Sequence, residues 1–417
     1  MILKFFGCAQ EVGRSSIMLK DEKSIMMDYG VKLNHKTEYP VGMPKVDAVI
    51  LSHAHMDHSG DVPALYNEML IPTFGTRPTL KLSELLLEDS MKLWKKQHQQ
   101  PRFHKRQLGS FINRYVSLDY HSATRFNNMS IEFYDAAHIS GSAVTLIERK
   151  DAKENKRIVY TGDYKLQEQS LHKGAEIVQG DVLITESTYA TRQHPDRSKL
   201  IQSFISKIKE TLDNGGTALV PVFAVGRSQE ILAILHKHGL ADRTYLDGMA
   251  RAATSIVLKY PEFIQNHGAL SAASHEATTI KEQADRLDAL NEPSIILTTA
   301  GMLNGGPVLN YITRLNKSSH ILLTGFQLEG TNGRTLLEKG EVEIDGEKVR
   351  IDTPATHFDF SAHAGKDDIY EYVRKSSPST VICVHGDAEN AKALAENLKL
   401  EGFDAHAPEV GDTIKLD

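Results

Sequence analysis

Val46-Asp47-Ala48-Val49-Ile50-Leu51-Ser52-His53-Ala54-His55-Met56-Asp57-His58-Ser59-Gly60-Asp61 is an apolar run that ends in three histidines and two aspartates. The run reads as a buried strand over Val46–Ser52, because it is short and mostly aliphatic, with Val46, Val49 and Ile50 β-branched. On the loop that follows, neighbouring side chains point to different sides, so His53, His55, Asp57 and His58 can serve two adjacent ions. Imidazole and carboxylate donors suit zinc, and one carboxylate can bridge two ions.

A site for two ions needs more donors, and they must come from other strand ends. His138 follows a strand over Ser130–Asp135, Asp163 follows one over Arg157–Tyr160, and His385 follows one over Thr380–Val384. Each shares a local grammar of strand, ligand-type residue and nearby glycine: Ile139-Ser140-Gly141, Thr161-Gly162 and Gly386-Asp387. The remaining composition is that of an ordinary globular chain. There are 417 residues, 41% apolar and 24% charged, and 48 basic against 54 acidic residues leave a net charge of −6. A polycation that coats nucleic acid is excluded, though a local basic groove is not. Two cysteines exclude a disulfide scaffold or a cysteine-based zinc ribbon. Among ordinary counts, 19 histidines stand out. No membrane span or signal peptide is legible, so the expected location is the cytoplasm.

Further strands are expected at Met1–Gly7, Ser24–Asp28, Ser142–Glu148 and Val182–Thr185. Helices are expected over Val62–Leu70 and around Thr79–Gln99, the latter from Leu82, Leu85, Leu86 and Leu93, with Pro101 as its stop. From Ser198 the pattern alternates: helices over Ser198–Leu212 and Arg227–His238, strands over Thr217–Pro221, Thr244–Asp247, Ser294–Thr298 and His320–Thr324. That alternation predicts an α/β module on a mainly parallel sheet.

The order Asp28, His-x-His-x-Asp-His at 53–58, His138 and Asp163 resembles the metallo-β-lactamase superfamily, and the resemblance implies an αββα sandwich. Three later elements are similar to motifs A, B and C of the β-CASP nucleases: Glu186 in Thr185-Glu186-Ser187-Thr188-Tyr189, His363 in Phe360-Ser361-Ala362-His363-Ala364-Gly365, and His385 in Cys383-Val384-His385-Gly386. The resemblance implies a metallo-β-lactamase domain in two parts, 1–190 and 356–417, with a β-CASP insertion over 191–355. It implies two zinc ions. His53, His55 and His138 would hold the first, Asp57, His58 and His385 the second, and Asp163 would bridge. Asp28 would orient a ligand histidine from behind.

The implied reaction is hydrolysis of phosphodiester bonds in single-stranded RNA. Two ions would lower the pKa of a shared water and neutralise charge on the phosphate. His363 would donate the proton to the leaving 3′ oxygen, oriented by Glu186, whose charge raises the imidazolium pKa. With Asp57 these are the expected catalytic residues. A histidine in motif C resembles the RNA-cleaving branch. Cutting is expected to be internal, leaving 3′-hydroxyl and 5′-phosphate ends. The alternatives are a 5′→3′ exonuclease of the J type, a thioesterase or lactonase on the same scaffold, and a non-catalytic RNA-binding subunit. The chain stops soon after motif C, which favours the compact archaeal or bacterial form without a KH-like region. RNA contacts are expected from three glycine-rich segments through Phe223, Arg227, Gly301, Asn304, Gly305, Gly325, Gln327 and Arg334. A basic run from Lys92 to Arg106 is either a solvated helix face or a surface for RNA. No membrane partner is expected, and self-association or entry into a processing complex is open.

Overall fold

The computed structural model describes residues 1–33, 36–150 and 155–416, with the Lys150 side chain outside the description. The chain divides into two compact units. One comprises Met1–Glu168, His172–Gln193 and Ala362–Asp417, and the other Gln169–Leu171 and His194–Ser361.

The first unit is built on two seven-stranded sheets. In the first sheet Ile2–Phe5 pairs antiparallel with Thr413–Lys415 on one side and Ile17–Lys20 on the other. Ser24–Met27 comes next, then Ala48–Ile50, Thr73–Gly75 and Tyr115–Ser117 in parallel. In the second sheet Thr124–Phe126, Met129–Asp135, Ala143–Lys150 and Asn155–Tyr160 run antiparallel. Val182–Glu186, Thr380–Val384 and Asp404–His406 continue it in parallel.

Period-two alternation sorts the side chains into layers. Leu3, Phe5, Ile17, Leu19, Ile25, Met27, Ile131, Phe133, Ile158, Tyr160, Ile184, Ile382 and Val384 share one core, contributed by both sheets. Their strand neighbours face outward. Met18, Met26 and Val49 pack with Leu87, Trp94 and Phe111. Val144, Val159, Leu183 and Val381 pack with Ile369, Val373, Leu394 and Leu398. These last come from helices Lys366–Ser376 and Ala388–Leu400. The result is the expected helix–sheet–sheet–helix sandwich.

The second unit carries a six-stranded sheet whose pairings are all parallel: Thr278–Thr279, Thr244–Asp247, Ile295–Thr298, Ala218–Pro221, His320–Leu323 and Ala355–His357 in spatial order. Helices Arg197–Asp213, Arg227–Lys237 and Asn332–Lys339 belong to the same unit.

The strands expected over Met1–Gly7 and Val46–Ser52 shorten to Ile2–Phe5 and Ala48–Ile50, and two helices shift. The helix expected to reach Leu70 ends at Leu65. The Tyr66 hydroxyl is bonded to the Ile71 carbonyl and to Thr73 Oγ1, which turns the chain back into the sheet. The long helix spans Arg77–Lys96 and starts two residues earlier than expected, at a Thr76 cap that accepts the Thr79 N–H. Its buried stripe is Thr79, Leu82, Ser83, Leu87 and Trp94, while Leu93 is 47% exposed.

Candidate metal centre

The donors converge because they follow strands at one edge of the sandwich. His53 lies three residues past Ile50, Asp163 three past Tyr160, and His385 one past Val384. Carboxyl ends of parallel strands are where α/β folds place ligands. The approach is close enough to need glycine. A Cβ at Gly30 would overlap the Asp57 carbonyl, and one at Gly386 would meet the Ser187 backbone and hydroxyl. Asp28, Ala137 and His385 adopt positive φ, at 56°, 54° and 49°. Such backbone is sparsely populated for residues with a side chain and gathers at functional sites.

Asp28 lies at the floor and is fully buried. Its carboxylate accepts bonds from the Ser52 N–H and hydroxyl, the Tyr160 hydroxyl and His58 Nδ1, each 2.7 Å long. With Nδ1 committed to Asp28, His58 turns Nε2 towards Asp163 Oδ2, 3.3 Å away. His138 is fixed in the same manner, its Nδ1 donating to the Ala362 carbonyl at 2.9 Å and its Nε2 lying 3.0 Å from His55 Nδ1. Asp163 is central. Its Oδ2 is 3.6 Å from His53 Nε2 and 3.8 Å from His138 Nε2, and its Oδ1 is 3.2 Å from His385 Nδ1. His385 Nε2 faces Asp57 Oδ2 at 3.3 Å.

The donor atoms form three groups, each within 4.8 Å: His53, His55 and His138; Asp57, His58, Asp163 and His385; and Asp163, Glu186, His363 and His385, the last two sharing Asp163 and His385. His53 Nε2 and Asp163 Oδ1 are buried without a hydrogen-bond partner. A buried polar atom left unsatisfied costs about 1–3 kcal/mol, and a cation would satisfy both. The charge states agree. Burial and the neighbouring His58 push the His53 imidazole well below its ordinary pKa, and burial with His363 does so for His138, so both are neutral lone-pair donors. Burial opposes ionisation of Asp163, but His385, His58 and His363 overcome it and hold the carboxylate charged. Asp57 is likewise held charged against burial, by His58 and His385.

Beside these donors stands a second pair. His363 Nδ1 lies 2.9 Å from Glu186 Oε2, and the other Glu186 oxygen accepts the Tyr164 N–H at 2.9 Å. Glu186 is buried, whereas the His363 side chain keeps 23% of its surface exposed. Burial disfavours charge on His363, yet Glu186 and then Asp163 outweigh it and raise the pKa to about 9.

Several supporting residues carry no sequence signal. Lys165, almost fully buried, bonds the His363 carbonyl at 3.0 Å. Ser142 Oγ accepts the His138 and Ile139 N–H groups. Thr188 Oγ1 bonds the His385 carbonyl at 2.9 Å. Serines, threonines and lysines are common, and only burial beside a donor gives these a role.

In the second unit the three glycine-rich segments leave the carboxyl ends of adjacent strands, after Pro221, Thr298 and Leu323. Phe223 packs on Gly325 and Gly301, where an added Cβ would press on its ring or backbone. Gln327 is buried and donates to the Gly301 and Gly325 carbonyls, and Arg227 donates to the Thr324 carbonyl at 2.7 Å. Asn304 Oδ1 accepts the Asn332 N–H. Gly305, at φ 154°, is part of the same loop, and exposed Arg334 pairs with Glu338 on its own helix.

A helix–sheet–sheet–helix sandwich with histidines and aspartates gathered at one edge defines the metallo-β-lactamase superfamily. Comparison with known proteins narrows this. Residues 228–336 match the Beta-Casp domain, 348–408 the Zn-dependent metallo-hydrolase RNA specificity domain, and 8–212 the family of the Anti-Pycsar protein Apyc1. The chain is 38% identical to the Probable RNase MJ4 of Methanocaldococcus jannaschii over the whole of both chains. It is 35% identical to RNase aCSPSF2 of Saccharolobus solfataricus, over 99% of this chain and 85% of that one. It is 32% identical to the transcription termination factor FttA of Pyrococcus abyssi, over 98% and 70%. A crystal structure of a protein of unknown function from Enterococcus faecalis V583 superposes over 100% of this chain and 99% of its own with a TM-score of 0.62, at 15% identity, and so shares the fold. This chain belongs to the β-CASP nuclease family of the metallo-β-lactamase superfamily. No helix among the described residues is long and apolar enough to cross a membrane.

Proposed function

We propose that the chain is a two-zinc ribonuclease that hydrolyses internal phosphodiester bonds of single-stranded RNA and leaves 3′-hydroxyl and 5′-phosphate ends. His53, His55 and His138 would hold one ion, and Asp57, His58 and His385 the other, with Asp163 shared. Bound zinc would supply an activated water and charge neutralisation at the phosphate. The chain's own residues do the rest. Asp28 holds the His58 tautomer through Nδ1. Glu186 holds His363 through Nδ1, which leaves Nε2 as the atom that delivers a proton to the leaving 3′ oxygen. Phe223, Arg227, Gly301, Asn304, Gly305, Gly325, Gln327 and Arg334 are proposed to shape the RNA path.

The observation that carries this reading is the Glu186–His363 pair beside seven metal-type donors. A thioesterase or lactonase site has no need of such an acid, and a binding-only subunit has no need to keep the donors. The relatives named as RNases supply the substrate class. The test uses one single-stranded RNA labelled at its 5′ end in one tube and its 3′ end in another. Zinc-loaded protein should give internal fragments from both labels, lost with chelator. Mononucleotides from the 5′ label alone would replace the endonuclease reading with a 5′→3′ exonuclease. No cleavage at all would sink the nuclease assignment.

A further inference from the structure

Residues 90–118 carry seven basic residues and no Asp or Glu, in a chain whose net charge is −6. They span the end of helix Arg77–Lys96, a turn through Pro101, and helix Lys105–Asn113. One of the seven is committed to the fold. Arg102 makes a two-pronged ion pair with fully buried Asp61, at 3.2 and 2.7 Å, and lies 4.3 Å over the Tyr39 ring. Trp94 is committed as well, buried edge-on against Phe103 at 5.1 Å. Lys95, Lys96, Lys105 and Arg106 are exposed, and none has an ion-pair partner among the described residues.

A solvated helix face ordinarily mixes both signs, as Lys81 with Glu84 does earlier on the same helix, and Lys207 with Glu210 and Lys375 with Glu371 do elsewhere. Past Glu88 and Asp89 the mixing stops until Asp119. Lys95 and Lys96 suit the last turn of their helix, but Lys105 and Arg106 occupy a first turn that has no acid, where the helix dipole disfavours cations. The turn is also held rigidly to the donor loop. Asp61 lies three residues past His58, and Ser90 Oγ contacts Met56 Sδ at 3.8 Å. The cations therefore sit on a fixed scaffold in the same unit as the metal donors.

We propose that Lys95, Lys96, Lys105 and Arg106 form a surface that binds the phosphate backbone of single-stranded RNA outside the donor cluster. This rests on RNA being the substrate, as argued above. Lysines and arginines without partners, on a chain that is otherwise acidic, are complementary to a polyanion and indifferent to its sequence.

The experiment measures binding, so it reads out independently of turnover. Zinc-loaded protein carrying His363→Ala is titrated with a fluorescent RNA of about 40 nucleotides at several salt concentrations. Lys95→Gln, Lys96→Gln, Lys105→Gln and Arg106→Gln are combined in one protein. Arg374→Gln, Lys375→Gln, Lys392→Gln and Lys399→Gln, all exposed, are combined in a charge-matched control. The first set should weaken binding roughly tenfold or more and make the log–log salt slope shallower by about 2–3, and the control should change neither. Equal losses in both sets would overturn the proposal, because total charge would then explain them. Unchanged RNA binding, with a poly-glutamate chain held by the parent protein and released by the first set, would overturn it in favour of an acidic protein partner. Weakened binding by a protein whose parent cleaves no RNA would sink the nuclease reading and leave this surface standing. Cleavage with unchanged binding would do the reverse.

Discussion

Replacing His363 by alanine removes the proton-bearing nitrogen but none of the seven proposed zinc donors. RNA cleavage should then fall by about 10²–10⁴ in kcat, with zinc content and KM near those of the parent. Glu186→Gln keeps the shape and loses the charge that holds the imidazole, so a smaller loss, roughly tenfold, is expected. Zinc analysis beside steady-state kinetics checks both, and a His363→Ala protein that turns over normally would remove that residue from the mechanism. At this scale the sequence was most legible where donors are contiguous, as at 53–58. His363 and Glu186, 177 positions apart, were visible only through their family motifs. Lys165 and Ser142 were invisible, since nothing in the sequence says that they would be buried beside a donor.

The helical hairpin before and after Pro101 shows how an element can mislead. Its cations form one run in sequence, yet Arg102 alone turns inward, to a partner 41 positions away. Periodicity found the long helix but favoured Leu93, which is exposed, because 3.6-residue spacing leaves the buried face ambiguous when leucines crowd a stretch. The Asp61–Arg102 pair makes a pH-dependent prediction. Burial pushes the Asp61 carboxyl up to about 6, against the pull of Arg102. A folded pKa above the unfolded value of about 3.9 means that its contribution is fully present below that value and is lost as pH rises through 6. Arg102→Met removes the pull and leaves the buried charge unpaired. Urea unfolding should show a deficit of about 2–3 kcal/mol at pH 8, below the range for fully buried pairs because Arg102 is partly exposed. At pH 5 the deficit should be much smaller, since the carboxyl takes up a proton. Equal deficits at both pH values would mean that lost packing on Tyr39 is the whole effect.

Across the whole molecule, the fold follows from patterns that do not depend on knowing the contacts. Alternation put odd-numbered apolar residues such as Leu3, Phe5, Ile17 and Leu19 into the layer between the sheets. Short two-residue and three-residue strands such as Thr278–Thr279 and Asp404–His406 escaped, because so few residues carry no periodicity of their own. The donors are spread over separate segments of the first unit, so metal should tie that unit together. Chelator is expected to lower its melting midpoint by about 5 °C or more, and zinc at 100 times its dissociation constant should restore about 2.7 kcal/mol. Scanning calorimetry with and without zinc reads this directly, and identical midpoints would argue that the donors are not filled by metal.

The pairing of Ile2–Phe5 with Thr413–Lys415, and of Val182–Glu186 with Thr380–Val384, bears on how the protein is made. The ribosome delivers His53 long before His385. Until residues 380–415 arrive, strand Thr380–Val384, the neighbour of Val182–Glu186 in the second sheet, and one proposed metal donor are both missing. A nascent chain short of these residues lacks the full proposed donor set, so the proposed cleavage would have to wait for them. On that reading competence would come with these strands, as a late-closing clasp on a growing scaffold.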